Sequence, residues 1–242
     1  MYKLPFLFGG LVSYFVPGRY RRRSVRGWIN VFFFRIPIAK FIKHVYGVNA
    51  KNIRFVRQVS MNRMICVVND RYYVKIFRDV SIKQLNDYKF LLDFIRPYLK
   101  IKIPEIFVHD SIPMYVADKL PGKDMRDFDK ANVFKHEQKI KSQIYDVIND
   151  MQNISLKTIP NNERFLNPLQ SKKKNTEQKI SSDAVLAHLD LNASNIRLDD
   201  DFNVVSIVDW DSLSIVQSPN IDKDRFEKLW KIHKESKQSL NK

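Results

Sequence analysis

The stretch Ala187-His188-Leu189-Asp190-Leu191-Asn192-Ala193-Ser194-Asn195-Ile196, followed by Val208-Asp209-Trp210-Asp211, constrains this chain more than any other. It reads as His-x-Asp, an Asn five residues after that Asp, a short hairpin and a second Asp. Asn195 to Leu198 and Val204 to Val208 are β-rich, with apolar residues alternating through both arms. Asp199-Asp200-Asp201-Phe202-Asn203 between them is turn chemistry. A hairpin returns its end to its beginning, so Asp209 is expected close to Asn195. Phosphoryl transfer needs such groups in this order. A carboxylate, here Asp190, orients the attacking hydroxyl and accepts its proton, while an amide and a second carboxylate, here Asn195 and Asp209, hold the metal that neutralises the phosphates. Acidic residues also flank hairpins simply because turns are wet. One carboxylate would deserve that reading; the whole constellation favours a phosphotransferase site.

The same residues carry a resemblance. Aminoglycoside phosphotransferases and choline kinases, relatives of the protein kinases, share the signature His-Gly-Asp-x-x-x-x-Asn followed by Ile-Asp-Trp-Glu or a close variant. The chain resembles that family over residues 52 to 224, with Leu189 in place of the Gly and Asn192 in place of a frequent His. The resemblance implies an α+β, two-lobed protein-kinase-like fold: a small antiparallel β-sheet N-lobe and a mainly helical C-lobe. It implies ATP and Mg2+ as cofactors and transfer of the γ-phosphate to a hydroxyl. Asp190 becomes the base, and Asn195 and Asp209 the metal ligands. Lys75, in Tyr73-Val74-Lys75-Ile76-Phe77, becomes the phosphate clamp, and Asp87 stands in for the Glu that pairs with that lysine. Ser60 and Asn62, in a glycine-free loop, are the candidate phosphate contacts. Backbone groups around Asp118 and Leu120, in Asp118-Lys119-Leu120-Pro121-Gly122, correspond to the hinge that holds adenine. His188 is expected to support the loop through hydrogen bonds rather than to perform chemistry. Gly122 is the only glycine after Gly47, which points to a specific backbone need there.

Composition sets the remaining bounds. At 242 residues, with 44% hydrophobic and 12% aromatic side chains, the chain can bury a core as one domain or two small lobes. A lone cysteine, Cys66 in an apolar run, suggests a packed thiol and a reducing compartment, so a cytoplasmic location is expected. No metal-ligand spacing of Cys or His occurs, which argues against structural zinc. The net charge of +16 is uneven: residues 1–50 hold nine Lys and Arg and no acid, against 33 basic and 26 acidic residues in the rest. A basic arm on a near-balanced body points to a local task, and nucleic acid is not expected because no nucleic-acid-binding motif accompanies the charge.

Three segments follow: an amphipathic basic arm over 1–50, an N-lobe over 51–119 and a C-lobe over 120–242. Met1 to Val16 is apolar but too short to span a bilayer, and it lacks the features of a signal peptide. Two short helical patterns are expected on either side of Pro37, with Val25, Trp28, Ile29, Phe32 and Phe33 on one face of the first and Ile38, Phe41, Ile42 and Val45 on one face of the second. Their cations and aromatic face fit either peripheral contact with the inner face of the membrane, through residues 1–46, or helices packed on the body. Strands are expected at Ile53 to Val59, Met64 to Val68 and Tyr72 to Phe77, a helix from Ser81 to Tyr98, and strands at Glu105 to Val108 and Met114 to Ala117. A single long helix is expected from Val133 to Ile154, a polar loop from Leu166 to Asp183, and a helix around Phe226 to His233.

The acceptor is expected to be a hydroxyl-bearing small molecule or saccharide. Charge favours an anionic acceptor at a membrane, such as a lipopolysaccharide-core or other cell-envelope saccharide. The short stretch after Trp210 also suggests an abbreviated acceptor pocket. The alternatives are a catalytically weak nucleotide-binding scaffold at a membrane, or an aminoglycoside- or choline-type kinase.

Overall fold

The computed structural model describes residues 19–60, 63–159, 169 and 183–235, with no side-chain account of 19–24, 26–28, 30–31 and 57–60. Its contacts divide into two compact units. One runs to Lys89 and includes Glu105–Lys119; the other comprises Phe90–Pro104 and the chain from Leu120 onward.

The first unit begins with α1 (Arg19–Tyr46), followed by strands β1 (Ile53–Ser60), β2 (Arg63–Val68) and β3 (Tyr72–Phe77). Helix α2 (Ile82–Ile95) straddles the division, and β4 (Ile106–Val108) and β5 (Met114–Asp118) complete the sheet. The five strands are antiparallel in the order β1-β2-β3-β5-β4. Asn69 and Asp70 turn β2 into β3 with φ of +53° and +55°, a turn whose twist matches the strands and which short polar side chains tolerate. Ser81 and Gln84 form a reciprocal cap at the start of α2: the Ser81 hydroxyl accepts from Gln84 N at 3.2 Å, and Gln84 Oε1 accepts from Ser81 N at 2.9 Å.

Pro37 departs from expectation. It lies inside one continuous 28-residue helix rather than opening a second one. An interior proline costs a helix about 3 kcal/mol. The offset is the stripe Phe34, Ile38, Phe41 and Ile42, which runs past Pro37 and is buried with Met64, Cys66, Val74 and Val116 of the sheet.

In the second unit, β6 (Lys123–Asp124) precedes α3 (Lys130–Lys135) and α4 (Glu137–Gln152). Strands β7 (Val185–Ala187), β8 (Ile196–Leu198), β9 (Val204–Ile207) and β10 (Ser214–Val216) follow, then α5 (Ile221–Glu235). Two small antiparallel sheets result, β6-β8-β9 and β10-β7. The expected single helix is interrupted at His136, whose φ of −102° and ψ of 16° are not helical. Its ring instead lies flat on Phe202, centroids 4.2 Å apart. The buried stripe of α4 is Ile140, Ile144, Val147, Ile148 and Met151, the spacing of one helix face. The polar stretch Leu166 to Asp183 falls almost wholly outside the described residues.

Candidate active site

The second unit brings Asp190 and Asn195 together in a loop between β7 and β8. Asn195 Nδ2 donates to Asp190 Oδ2 at 3.0 Å and to its backbone carbonyl at 2.8 Å. Asn192 Nδ2 donates to Asp190 Oδ1 at 2.9 Å. Two neutral amides therefore fix the rotamer of the Asp190 carboxylate, which stays half-exposed. With its amide nitrogen committed to Asp190, Asn195 has its Oδ1 as the end suited to a cation; the Ser194 hydroxyl reaches it only at 3.4 Å.

The hairpin closes as its residue types suggest. Ile196 pairs with Ile207, and Val208 N donates to the Asn195 carbonyl at 2.9 Å, so Asp209 directly follows a residue bonded to Asn195. Asp209 has φ of +59°, which is costly for a non-glycine residue and persists where surrounding structure holds it. Trp210 behind it is fully buried and donates its indole N–H to the Ile207 carbonyl at 2.8 Å.

His188 is buried, and its Nδ1 accepts from Asp190 N at 3.2 Å, which places the ring proton on Nε2. The ring meets Trp210 edge-on at 4.5 Å. It holds the loop. Leu189 has φ of +63°, a conformation glycine adopts without strain.

The residue that sequence reasoning missed is Asp222, in the first turn of α5 and 2% exposed. Its carboxylate accepts from His188 N at 2.6 Å and Leu189 N at 2.7 Å, so it grips the strained turn from behind. Burial pushes its carboxyl above the ordinary value, against the two amides that favour the charged form. The only sequence signal was an acid in a first helical turn, which ordinarily reads as a partner of the helix dipole.

Gly122 has φ of +89°, and a side chain there would meet Val205 Cγ2 at 2.6 Å and Arg197 Cβ at 2.9 Å. The backbone need is real, and it comes from the β8–β9 hairpin crossing closely over it.

In the first unit, Lys75 sits in β3, 8% exposed, its ammonium 5.8 Å from the centroid of Tyr115. Asp87 is half-buried on α2, next to Tyr88, whose ring is 6.0 Å from the same Tyr115. Tyr115 thus links the strand of one candidate to the helix of the other. Asp118 ends β5, its carboxylate accepting from Arg71 Nε at 3.1 Å. Lys119 N donates to the Arg71 carbonyl at 2.7 Å, so the backbone groups of Asp118 face away from β3, past the last pair that β4 makes, Ile106 with Ala117. Leu120 is where the chain re-enters the second unit. Ser60 ends β1 opposite Arg63, but its side chain and all of Asn62 lie outside the described residues.

Together these elements form a protein-kinase-like α+β fold. No protein-family model matches the sequence, and no curated protein sequence does. Solved structures do match, phosphotransferases among them. The GDP and kanamycin complex of APH(2")-IIIa shares 14% identity over 81% of this chain and 78% of that one, with a TM-score of 0.58. The streptomycin-ATP-APH(2")-IIa ternary complex shares 14% identity over 77% and 74%, with a TM-score of 0.53. Macrolide 2'-phosphotransferase type I shares 12% identity over 82% and 80%, with a TM-score of 0.50. Among the described residues no helix is long and apolar enough to cross a membrane.

Proposed function

We propose that this chain is an ATP- and magnesium-dependent phosphotransferase that moves a γ-phosphate to a hydroxyl. The observation that carries the reading is the Asp190–Asn195 pair, held by the closure of Val208 onto Asn195. Asp190, oriented by two amides, receives the acceptor hydroxyl and takes its proton as the acceptor oxygen bonds to the γ-phosphorus and the bond from that phosphorus to the bridging oxygen of ADP breaks, ADP leaving with the electron pair. Asn195 Oδ1 and Asp209 are the metal ligands. Two protein oxygens suit magnesium, which keeps waters and binds through phosphates, and among the described residues no His, Cys, Asp and Glu cage competes for it. Bound there, the metal supplies charge neutralisation of the phosphates. Lys75 contacts the phosphates, Asp87 orients Lys75, and backbone groups at Asp118 and Leu120 receive the adenine. Ser60 and Asn62 remain the candidate contacts of the phosphate loop.

The acceptor in this reading is anionic and borne on a cytoplasmic membrane face, with a cell-envelope saccharide as the substrate class. The basic arm supports it, because a soluble cationic acceptor would leave that charge without a task. The scaffold reading, nucleotide binding with little turnover, draws support from the absence of glycine between Ser60 and Arg63.

Magnesium-dependent ATP binding and turnover on the purified chain test the proposal. Asp190→Asn is expected to lose most turnover, about 10²-fold or more, with nucleotide affinity nearly unchanged. Asp209→Asn is expected to weaken the magnesium dependence of nucleotide binding. Unchanged turnover in a folded Asp190→Asn protein would remove the catalytic assignment. ATP binding without turnover in the wild type would favour the scaffold.

A further inference from the structure

Helix α1 has a second face. Opposite its buried stripe lie Phe32, Phe33 and Ile36, then Lys40, Lys43 and His44, at spacings that share one side of a helix. Phe32 is 77% exposed and Ile36 67%, unusual values for large apolar side chains on adjacent turns. The basic residues that follow are exposed too. This face is therefore apolar at one end and cationic at the other.

The cationic end borders a cavity of about 410 Å³ within the first unit, between α1, α2 and the end of β4. That is within the size range of small-ligand sites. Lys40 and His44 line it from α1, Asn86 and Lys89 from α2, and His109 and Asp110 from the segment after β4. Two ammonium groups against one carboxylate leave it positive. His109 adds a donor. Its Nδ1 accepts from Ser111 N at 3.0 Å and Ile112 N at 3.2 Å, so its ring proton is on Nε2. The ring also packs edge-on against Phe41 at 4.9 Å, which fixes its orientation.

We propose that the first unit docks on an anionic lipid surface through this face of α1, with a phosphate head group entering the cavity beside Lys40 and Lys89. Phe32 and Ile36 enter the acyl boundary while Lys40, Lys43 and Lys89 meet the phosphates. Charge and apolarity follow each other along the helix as they do across a bilayer surface, from acyl chains to head groups. A soluble phosphate ester would use the cavity but leave the exposed aromatic turn without a role. The inference rests on the membrane part of the function proposed above and stands apart from its chemistry.

The test is co-sedimentation of the full chain with phosphatidylcholine vesicles and with phosphatidylcholine–phosphatidylglycerol vesicles, beside a titration with soluble glycerol phosphate. Wild type is expected to bind the anionic vesicles and not the neutral ones. Phe32→Ser with Ile36→Ser, and separately Lys40→Glu with Lys89→Glu, are each expected to weaken that binding by about tenfold or more. Magnesium-ATP binding is expected to stay at the wild-type value in both pairs. Circular dichroism confirms folding, and if a pair fails to fold, Lys43→Glu on the exposed side replaces it. Failure of wild type to bind anionic vesicles at low salt overturns the inference, whether or not ATP turnover is found. Binding of glycerol phosphate without vesicle binding also overturns it and makes the cavity a soluble-ester site. Equal vesicle binding by all variants assigns adsorption to another part of the chain and overturns it as well.

Discussion

Two residues support the Asp190 loop and the hairpin that follows it, Asp222 beneath the loop and Gly122 beneath the hairpin. Asp222 accepts the backbone N–H groups of His188 and Leu189. Asp222→Ala would leave the buried His188 donor unpaired, at about 1–3 kcal/mol, and the part-buried Leu189 donor as well, at a smaller cost. It is expected to lower the melting temperature and to depress turnover far more than ATP affinity, measured by thermal unfolding and steady-state kinetics. Asp222→Asn keeps one accepting oxygen and should recover part of both. Gly122 is the second. Alanine there must adopt φ of +89° and press against Val205. Strain and overpacking together are expected to cost about 2–4 kcal/mol, read as a shift in denaturation midpoint. Legibility at this scale followed chain distance. The Asp190–Asn195 contact was legible because five residues separate the two, and the return of the chain before Asp209 to Asn195 because a hairpin lies between them. Asp222 lies 34 residues from His188, and nothing local marks an acid in a first helical turn as the partner of a distant loop.

Elements were legible where packing and local pattern agree. The β2–β3 hairpin, the cap at Ser81 and the buried face of α4 all follow from spacing and turn chemistry. Strands β6, β7 and β10 do not, because two or three residues are too few for a period and their pairing is set by long-range partners. Pro37 misleads for a related reason: its local penalty is real, but a buried stripe on both sides outweighs it. Contacts between α4 and α5 are polar as well as apolar. Lys141 bridges Glu137 at 3.2 Å and Glu227 at 2.8 Å, Lys234 reaches Glu137 at 2.8 Å, and the Tyr145 hydroxyl donates to Glu227. Burial works against ionisation of both glutamates, yet hydrogen bonds from Lys234 and Lys141 to Glu137, and from Lys141 and Tyr145 to Glu227, hold their carboxyls below the usual value. A depressed folded value means that the unfolded chain takes up protons first as pH falls. This stabilisation is therefore complete above the ordinary glutamate value and is lost as pH drops through the lower folded values. Melting temperature is expected to fall more steeply below about pH 4 in wild type than in Glu227→Gln. Parallel curves would mean that the α4–α5 pairs are too solvated to matter.

At the scale of the whole molecule, charge discriminates between acceptors. A net charge of +16 creates a field that draws anions and repels polycations, and salt screens both effects. The alternative is a cationic acceptor of the aminoglycoside kind, and salt decides between the two. For an anionic saccharide acceptor, kcat/KM should fall as salt rises, because screening removes an attraction. For an aminoglycoside it should start low and rise over the same range, because screening removes a repulsion. Most of the change is expected below about 0.15 M, where the Debye length lengthens past roughly 8 Å. The measurement is ADP release at several ionic strengths, with magnesium-ATP saturating so that only acceptor encounter varies. A phosphorylated saccharide and an aminoglycoside panel serve as the two acceptor classes. Efficient aminoglycoside turnover with no rise on adding salt would mean that local carboxylates at the acceptor site outweigh the net field, and the anionic assignment would then fail.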